Sequence, residues 1–161
     1  YPQKRLRDIG FLKTVFVAVV WSFTTVLVPF NWGEMQTSAM VFLLLRRFLF
    51  ILALTIPFEI NDYDSDISGN LKTLPVILGI EKTKMLAQGV FLLLLLVNLF
   101  QYFGYGADGF EIGALEISVI TSMMAVQFVK KETPDIWYYL VIDGMMLFQF
   151  FLVFIAHQLF S

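Results

Sequence analysis

The chain has no cysteine and a single histidine. Without cysteine there is no disulfide framework and no thiolate metal site, and a lone His157 excludes a multi-histidine metal cluster within these residues. Charge is scarce as well: charged residues make up 15%, where an ordinary soluble domain carries about 25%. A net charge of −2 gives no electrostatic basis for a nucleic-acid partner. What is abundant is apolar surface. Hydrophobic residues are 58% of the 161, Phe alone occurs 18 times, and the mean hydropathy is +0.77. Such a chain lacks the polar side chains to coat itself in water. Residue 1 is Tyr, and no signal-peptide pattern precedes the first apolar run, so the sequence reads as a portion of a longer protein or as a processed chain.

A helix crossing a ~30 Å hydrocarbon core needs roughly 20 mostly apolar residues. About five stretches qualify, near 9–30, 39–60, 85–105, 109–129 and 136–160. The expected fold is therefore all-α, a polytopic transmembrane bundle of about five helices forming one domain over 1–161. The longest polar connection, 61–84, follows the second helix. The connections at 31–38 and 104–109 carry acidic residues and no basic ones. Lys4, Arg5, Arg7 and Lys13, then Lys72, Lys82 and Lys84, then Lys130 and Lys131 all fall on one side of a five-pass chain. The positive-inside rule makes that side cytoplasmic. A multi-pass protein of a bacterial inner membrane, with 61–84 facing the cytoplasm, is the expected localisation.

Ionisable residues inside a membrane are costly and face the bundle interior with a partner. Arg46 and Arg47 sit about seven residues into the second helix, roughly 10 Å from its outer end at 1.5 Å per residue. Glu116 lies at similar depth on the fourth helix, with Glu111 shallower, so either arginine is expected to pair with Glu116. Arg47 is also a candidate substrate contact in that half. Asp143 lies in the inner half of the fifth helix, equally open to a packing or a functional role. Asn98 and His157 read as packing or interfacial residues.

The concentrated chemistry follows the second helix. Asp62 and Asp66 are four residues apart, so continued helical geometry puts them on one face, a turn apart. Glu59 flanks that face, whereas Asp64 is rotated away by about 200°. Two like charges one turn apart repel. A divalent cation is a natural compensation: Mg²⁺ takes hard oxygen ligands and is usually held by one or two carboxylates plus substrate phosphates. Lys72 adds a point charge suited to phosphate, and Gly69 and Asn70 permit the turn that would bring it back. Pro75 stands where a helix could start. On spacing alone, a merely solvated acidic loop explains the run as well. An EF-hand does not, since no Glu stands at the required distance after Asp62.

Asp62-x-x-x-Asp66, Gly69, then Lys72-Thr73-Leu74-Pro75-Val76-x-x-Gly79 resembles the second aspartate motif of the UbiA superfamily of intramembrane prenyltransferases. Tyr1-Pro2 and Lys4-Arg5 are similar to a segment preceding a transmembrane helix of that family, and the order of helices agrees over essentially the whole chain. The resemblance implies the C-terminal half of a nine-helix fold. It implies transfer of an isoprenoid chain from a prenyl diphosphate to a lipophilic acceptor, an aromatic ring or quinone precursor, within membrane lipid. Asp62 and Asp66 would be catalytic and would hold Mg²⁺. Lys72 would contact the diphosphate, with Tyr1, Lys4 and Arg5 near it. Asp143 would stand in the cavity wall and Glu59 would be a further acid beside the metal.

The family's first motif, N-D-x-x-D-x-x-x-D, is absent, as are the first four helices. The missing N-terminal half of the same protein is thus an expected partner, and this portion alone is expected to be inactive. A non-catalytic or degenerate membrane protein that binds lipid or a partner is the alternative. A phosphatidyl-alcohol transferase is not, because its longer D-G-…-A-R-…-D pattern does not occur here.

Overall fold

The structure, a computed structural model, describes residues 10–28 and 37–160, with side chains over 11–28 and 39–159. In lipid every backbone polar group must be satisfied within the chain, and the helix does this segment by segment. The described residues are accordingly almost all helical. They form α1 (Gly10–Leu27), α2 (Thr37–Thr55), α3 (Phe58–Asn61), α4 (Tyr63–Ser68), α5 (Leu74–Leu78), α6 (Ile80–Tyr105), α7 (Gly109–Gln127), α8 (Asp135–Trp137), a π-helical turn (Tyr138–Ile142) and α9 (Gly144–Phe160). Four runs are long and apolar enough to cross a membrane: Ala39–Asn61, Ile80–Tyr105, Gly109–Gln127 and Asp135–Leu159. The fifth expected span corresponds to α1, which is shorter at 18 residues.

Helices α1, α2, α6, α7 and α9 pack in that order as an arc, each against the next. The pattern on α6 explains the packing. Ala87, Phe91, Leu94 and Asn98 recur at helical spacing and are buried, while Leu92, Leu96, Phe100 and Phe103 form an exposed stripe on the opposite face. The buried stripe meets Phe50, Ile51 and Leu54 of α2 and Val119 and Val126 of α7 in one core. Large exposed apolar side chains on the outward faces are what a lipid-embedded bundle requires.

The segment after α2 departs from the loop read from sequence. Pro57 lacks an N–H and interrupts the hydrogen-bond ladder, yet its backbone stays helical at φ −59°, ψ −27°, so the chain continues into α3 rather than unwinding. Ile60 N–H donates to the Pro57 carbonyl at 2.9 Å and Asp66 N–H to that of Asp62 at 2.8 Å, carrying helical geometry through the acidic run. Asn70, at φ 51°, turns the chain, a conformation Asn tolerates better than most residues. Pro75 sits in the first turn of α5, where its missing N–H costs nothing. Gly79, at φ 87°, ends α5 and lets α6 begin immediately. The connection 61–84 thus holds two short helices and the first turn of α6 instead of an open loop.

Candidate functional site

A cavity of about 630 Å³ lies between α1, the α2–α4 run and the start of α9. Asp62, Asp66 and Asp143 all line it. Continued helix over 62–66 is what brings the first two together. The π-helical turn positions the third: its last hydrogen bond, from Asp143 N–H to the Tyr138 carbonyl at 3.0 Å, spans five residues rather than four and advances Asp143 around the helix. Val17, Trp21, Ile51, Met146 and Leu147 supply an apolar wall, and Lys13 and Thr14 reach in from α1.

The carboxylates differ in their partners. Among the described residues no hydrogen bond or ion pair engages the Asp62 or Asp66 carboxylate, although Asp66 is 8% exposed; Asp62 is more open. Glu59, expected as a further acid beside the metal, also lines the cavity, and each of its oxygens accepts a hydrogen bond. Thr14 Oγ1 donates to its Oε1, and the Leu74 N–H donates to its Oε2 at 2.9 Å. It ties α1 to α3 and serves the start of α5, where no side chain of the local sequence caps the helix. Asp64 turns away from the cavity, as its spacing predicts. Its Oδ1 pairs with Lys131 Nζ at 2.8 Å, and that ammonium also lies 5.6 Å from the Tyr63 ring centroid. The hydrogen bond from Lys131 to Asp64, and then the Asp64 charge, hold the Lys131 ammonium above the usual lysine range.

Lys72 is exposed and off the cavity lining, although its neighbours Leu71 and Thr73 belong to it. The lysine in the wall is Lys13, which the sequence marked only as a topogenic charge. Tyr1, Lys4 and Arg5 lie outside the described residues. The Mg²⁺ that the aspartate motif implies fits this donor set: two hard carboxylates on one helix face with no cation of the described residues paired to them, open to a water-accessible cavity. Among the described residues no group of three or more acids or histidines converges as a metal cage. Asp62 and Asp66 would therefore bind one side of an ion.

A second cavity, about 330 Å³, lies toward the other end of the bundle between α2, α6, α7 and α9. Arg46, Arg47, Asn98, Glu111, Gln149 and His157 are in its wall. Here the expected pairing with Glu116 is corrected. Arg46 Nη2 approaches Glu111 Oε1 at 3.4 Å, Arg47 Nη1 donates to Gln149 Oε1 at 3.1 Å, and Glu116 Oε1 is buried without a partner. The reason is geometric. Helical side chains lean toward the helix N-terminus, and α2 packs against α7, so an arginine on α2 reaches the carboxylate nearer the start of α7, not the one level with its own Cα. Gln149, the partner of Arg47, was not singled out from sequence. A glutamine within the apolar run of α9 was the available signal, and its Nε2 also donates to Ser118 Oγ at 3.1 Å.

A family model described as the UbiA prenyltransferase family matches residues 1–155. No curated protein and no solved structure matches the chain.

Proposed function

The chain belongs to the UbiA prenyltransferase family, and from that premise we propose that it is the C-terminal portion of a Mg²⁺-dependent enzyme that transfers an isoprenoid chain from its diphosphate to a lipophilic acceptor. The observation that carries the reading is the pair Asp62 and Asp66, on one helix face, their carboxylates unpartnered among the described residues and opening into an apolar cavity. Two carboxylates in that setting repel each other and need a counter-charge.

Asp62 and Asp66 would hold Mg²⁺ at the cavity mouth and, through it, the diphosphate end of the substrate. When bound there, Mg²⁺ supplies charge neutralisation to the diphosphate leaving group. Lys13 adds a positive charge from the α1 wall, and Lys72 meets the outward phosphate oxygens from the solvent side between Leu71 and Thr73. Trp21, Ile51, Met146 and Leu147 take the isoprenoid chain and keep water from the allylic carbon as it ionises. Asp143 faces the same space and orients the acceptor or a water. Glu59 acts only on the frame, locking α1 and α5 around the pair. A facing aspartate motif elsewhere in the parent protein completes the ligands of the ion, since two carboxylates alone leave most of its coordination to substrate and water.

The test is transfer of a labelled prenyl diphosphate to a panel of lipophilic acceptors in membranes holding the complete protein. Transfer is expected with Mg²⁺, is expected to stop on chelation, and is expected to be lost in Asp62→Ala and Asp66→Ala at unchanged membrane levels. Near-normal transfer in both variants, or transfer indifferent to chelation, would defeat the assignment.

A further inference from the structure

We propose that the second cavity, at the end of the bundle away from Asp62 and Asp66, is a binding site for the anionic headgroup of a membrane amphiphile, a phosphate or carboxylate carried on an apolar tail. The site is separate from the transfer cavity. Arg47 and Asp62 are fifteen residues apart along one nearly continuous helical run, about 22 Å at 1.5 Å per residue.

The wall holds guanidinium donors that nothing among the described residues uses. Arg46 Nε and Nη1 are buried without a hydrogen-bond partner. Asn98 is 1% exposed, and its amide lies against Glu116, which is off the cavity lining. Among the described residues Arg47 reaches only the neutral Gln149, and no carboxylate of theirs forms an ion pair with it. Arg46 has one long contact to Glu111, whose side chain is 44% exposed and so only partly available as a counter-ion. Buried donors are rarely left idle, and ionisable groups at membrane depth mark ligand sites by default. Water could meet the hydrogen bonds, but it could not supply the missing negative charge.

The shape sets the ligand class. At about 30 Å³ per water, a volume of about 330 Å³ admits on the order of ten non-hydrogen atoms, which suits a headgroup and the root of its chain, not a whole lipid. Phe150 and Phe154 line the cavity and are also 55% and 50% exposed on the outer face of α9. The site therefore opens sideways past two aromatic rings, the direction from which a lipid would enter and along which its tail would lie.

The experiment measures lipid retention by the complete protein in detergent, by native mass spectrometry, offering phosphatidylglycerol and phosphatidylcholine of identical chains, with oleate and inorganic phosphate as further arms. Wild type is expected to retain the anionic lipid about tenfold over the zwitterionic one. Arg47→Gln should erase most of that preference and Arg47→Lys should keep it within about threefold, a tenfold change being about 1.4 kcal/mol. Oleate competing as well as phosphatidylglycerol supports the proposal and assigns a carboxylate head. Equal retention of both lipids by wild type, which needs no variant to fold, overturns it. So does an unchanged preference in folded Arg47→Gln, or occupation by inorganic phosphate with no lipid discrimination. Asp66→Ala should leave retention as in wild type, so a failure of the transfer reading and a failure of this one are told apart.

Discussion

Glu59 and Asp66 are equally buried, at 8% exposure each, and sit two turns apart on one helical run. Glu59 accepts from Thr14 and from the Leu74 amide, so its charge is spent on holding three elements together. Asp66 has no partner in the described chain, and its charge is left to the cavity. Burial and residue type thus do not separate a structural acid from a functional one; the occupancy of the lone pairs does. The same contrast separates the two ends of the bundle. One cavity gathers three aspartates and Glu59 around a single lysine, and the other gathers two arginines around a half-exposed glutamate. In a low-dielectric setting either imbalance persists only where something outside the fold compensates it.

The sharpest way to break this contrast is a paired substitution. Asp66→Asn should lower prenyl transfer by about 10²–10³-fold, the range for removing one preorganised charge-stabilising group, with no loss of thermal stability. Glu59→Ala should do the reverse. It orphans the Leu74 N–H and the Thr14 hydroxyl and should cost about 2–3 kcal/mol, a fall in Tm of several degrees, while transfer per folded molecule stays within a fewfold of wild type. Paired transfer assays and melts decide this. An inverted result, with Glu59→Ala stable but inactive, would make Glu59 part of the site.

Asp143→Asn tests how far the acidic site extends. It should lower transfer by about tenfold, the low end for a group that orients rather than binds the reacting centre, without changing Tm. At the other end, Glu111→Gln removes the one carboxylate paired with Arg46 among the described residues and should cost about 1 kcal/mol, modest because the pair is long and half-exposed. A melt of the complete protein reads it. No change would mean that solvent or lipid already compensates Arg46.

Most of the bundle was legible because membrane helices announce themselves through length and apolarity, and four spans fall where hydropathy put them. The Asp62 and Asp66 pair was legible because helical spacing survives the Pro57 interruption. Asp143 was legible as an inner-half acid, but not its aim, since nothing in the sequence specifies the π-helical turn before it. The Glu59 contact to Thr14 was not legible because the two are 45 residues apart in sequence, invisible to any local pattern. The Arg46 partner was misread because depth was counted at Cα, whereas a long side chain lands about a turn away. Lys72 was expected to fold back on the aspartates; the turn at Asn70 is real, but the strand of chain it starts sends Leu71 and Thr73 inward and leaves Lys72 outside.

The smallest expected effect lies at Asp64, the acid of the run that turns outward. Its partner Lys131 is held above the ordinary lysine range by that contact, with Glu132 and Tyr63 adding to it. A group whose folded pKa is raised contributes stability that is fully present below its unfolded value, about 10.4 for lysine, and lost as pH rises through the folded value. At neutral pH the pair is therefore fully formed, yet it is exposed and screened by salt, so its loss should be hard to detect. Asp64→Asn should melt with wild type at neutral pH, in low salt and in about 1 M salt alike, and any small difference should close above the lysine range. Transfer should be unchanged. An Asp64→Asn variant as inactive as Asp66→Asn would mean that the helix face drawn through Asp62 and Asp66 is not what the substrate meets, and that the whole acidic run acts together.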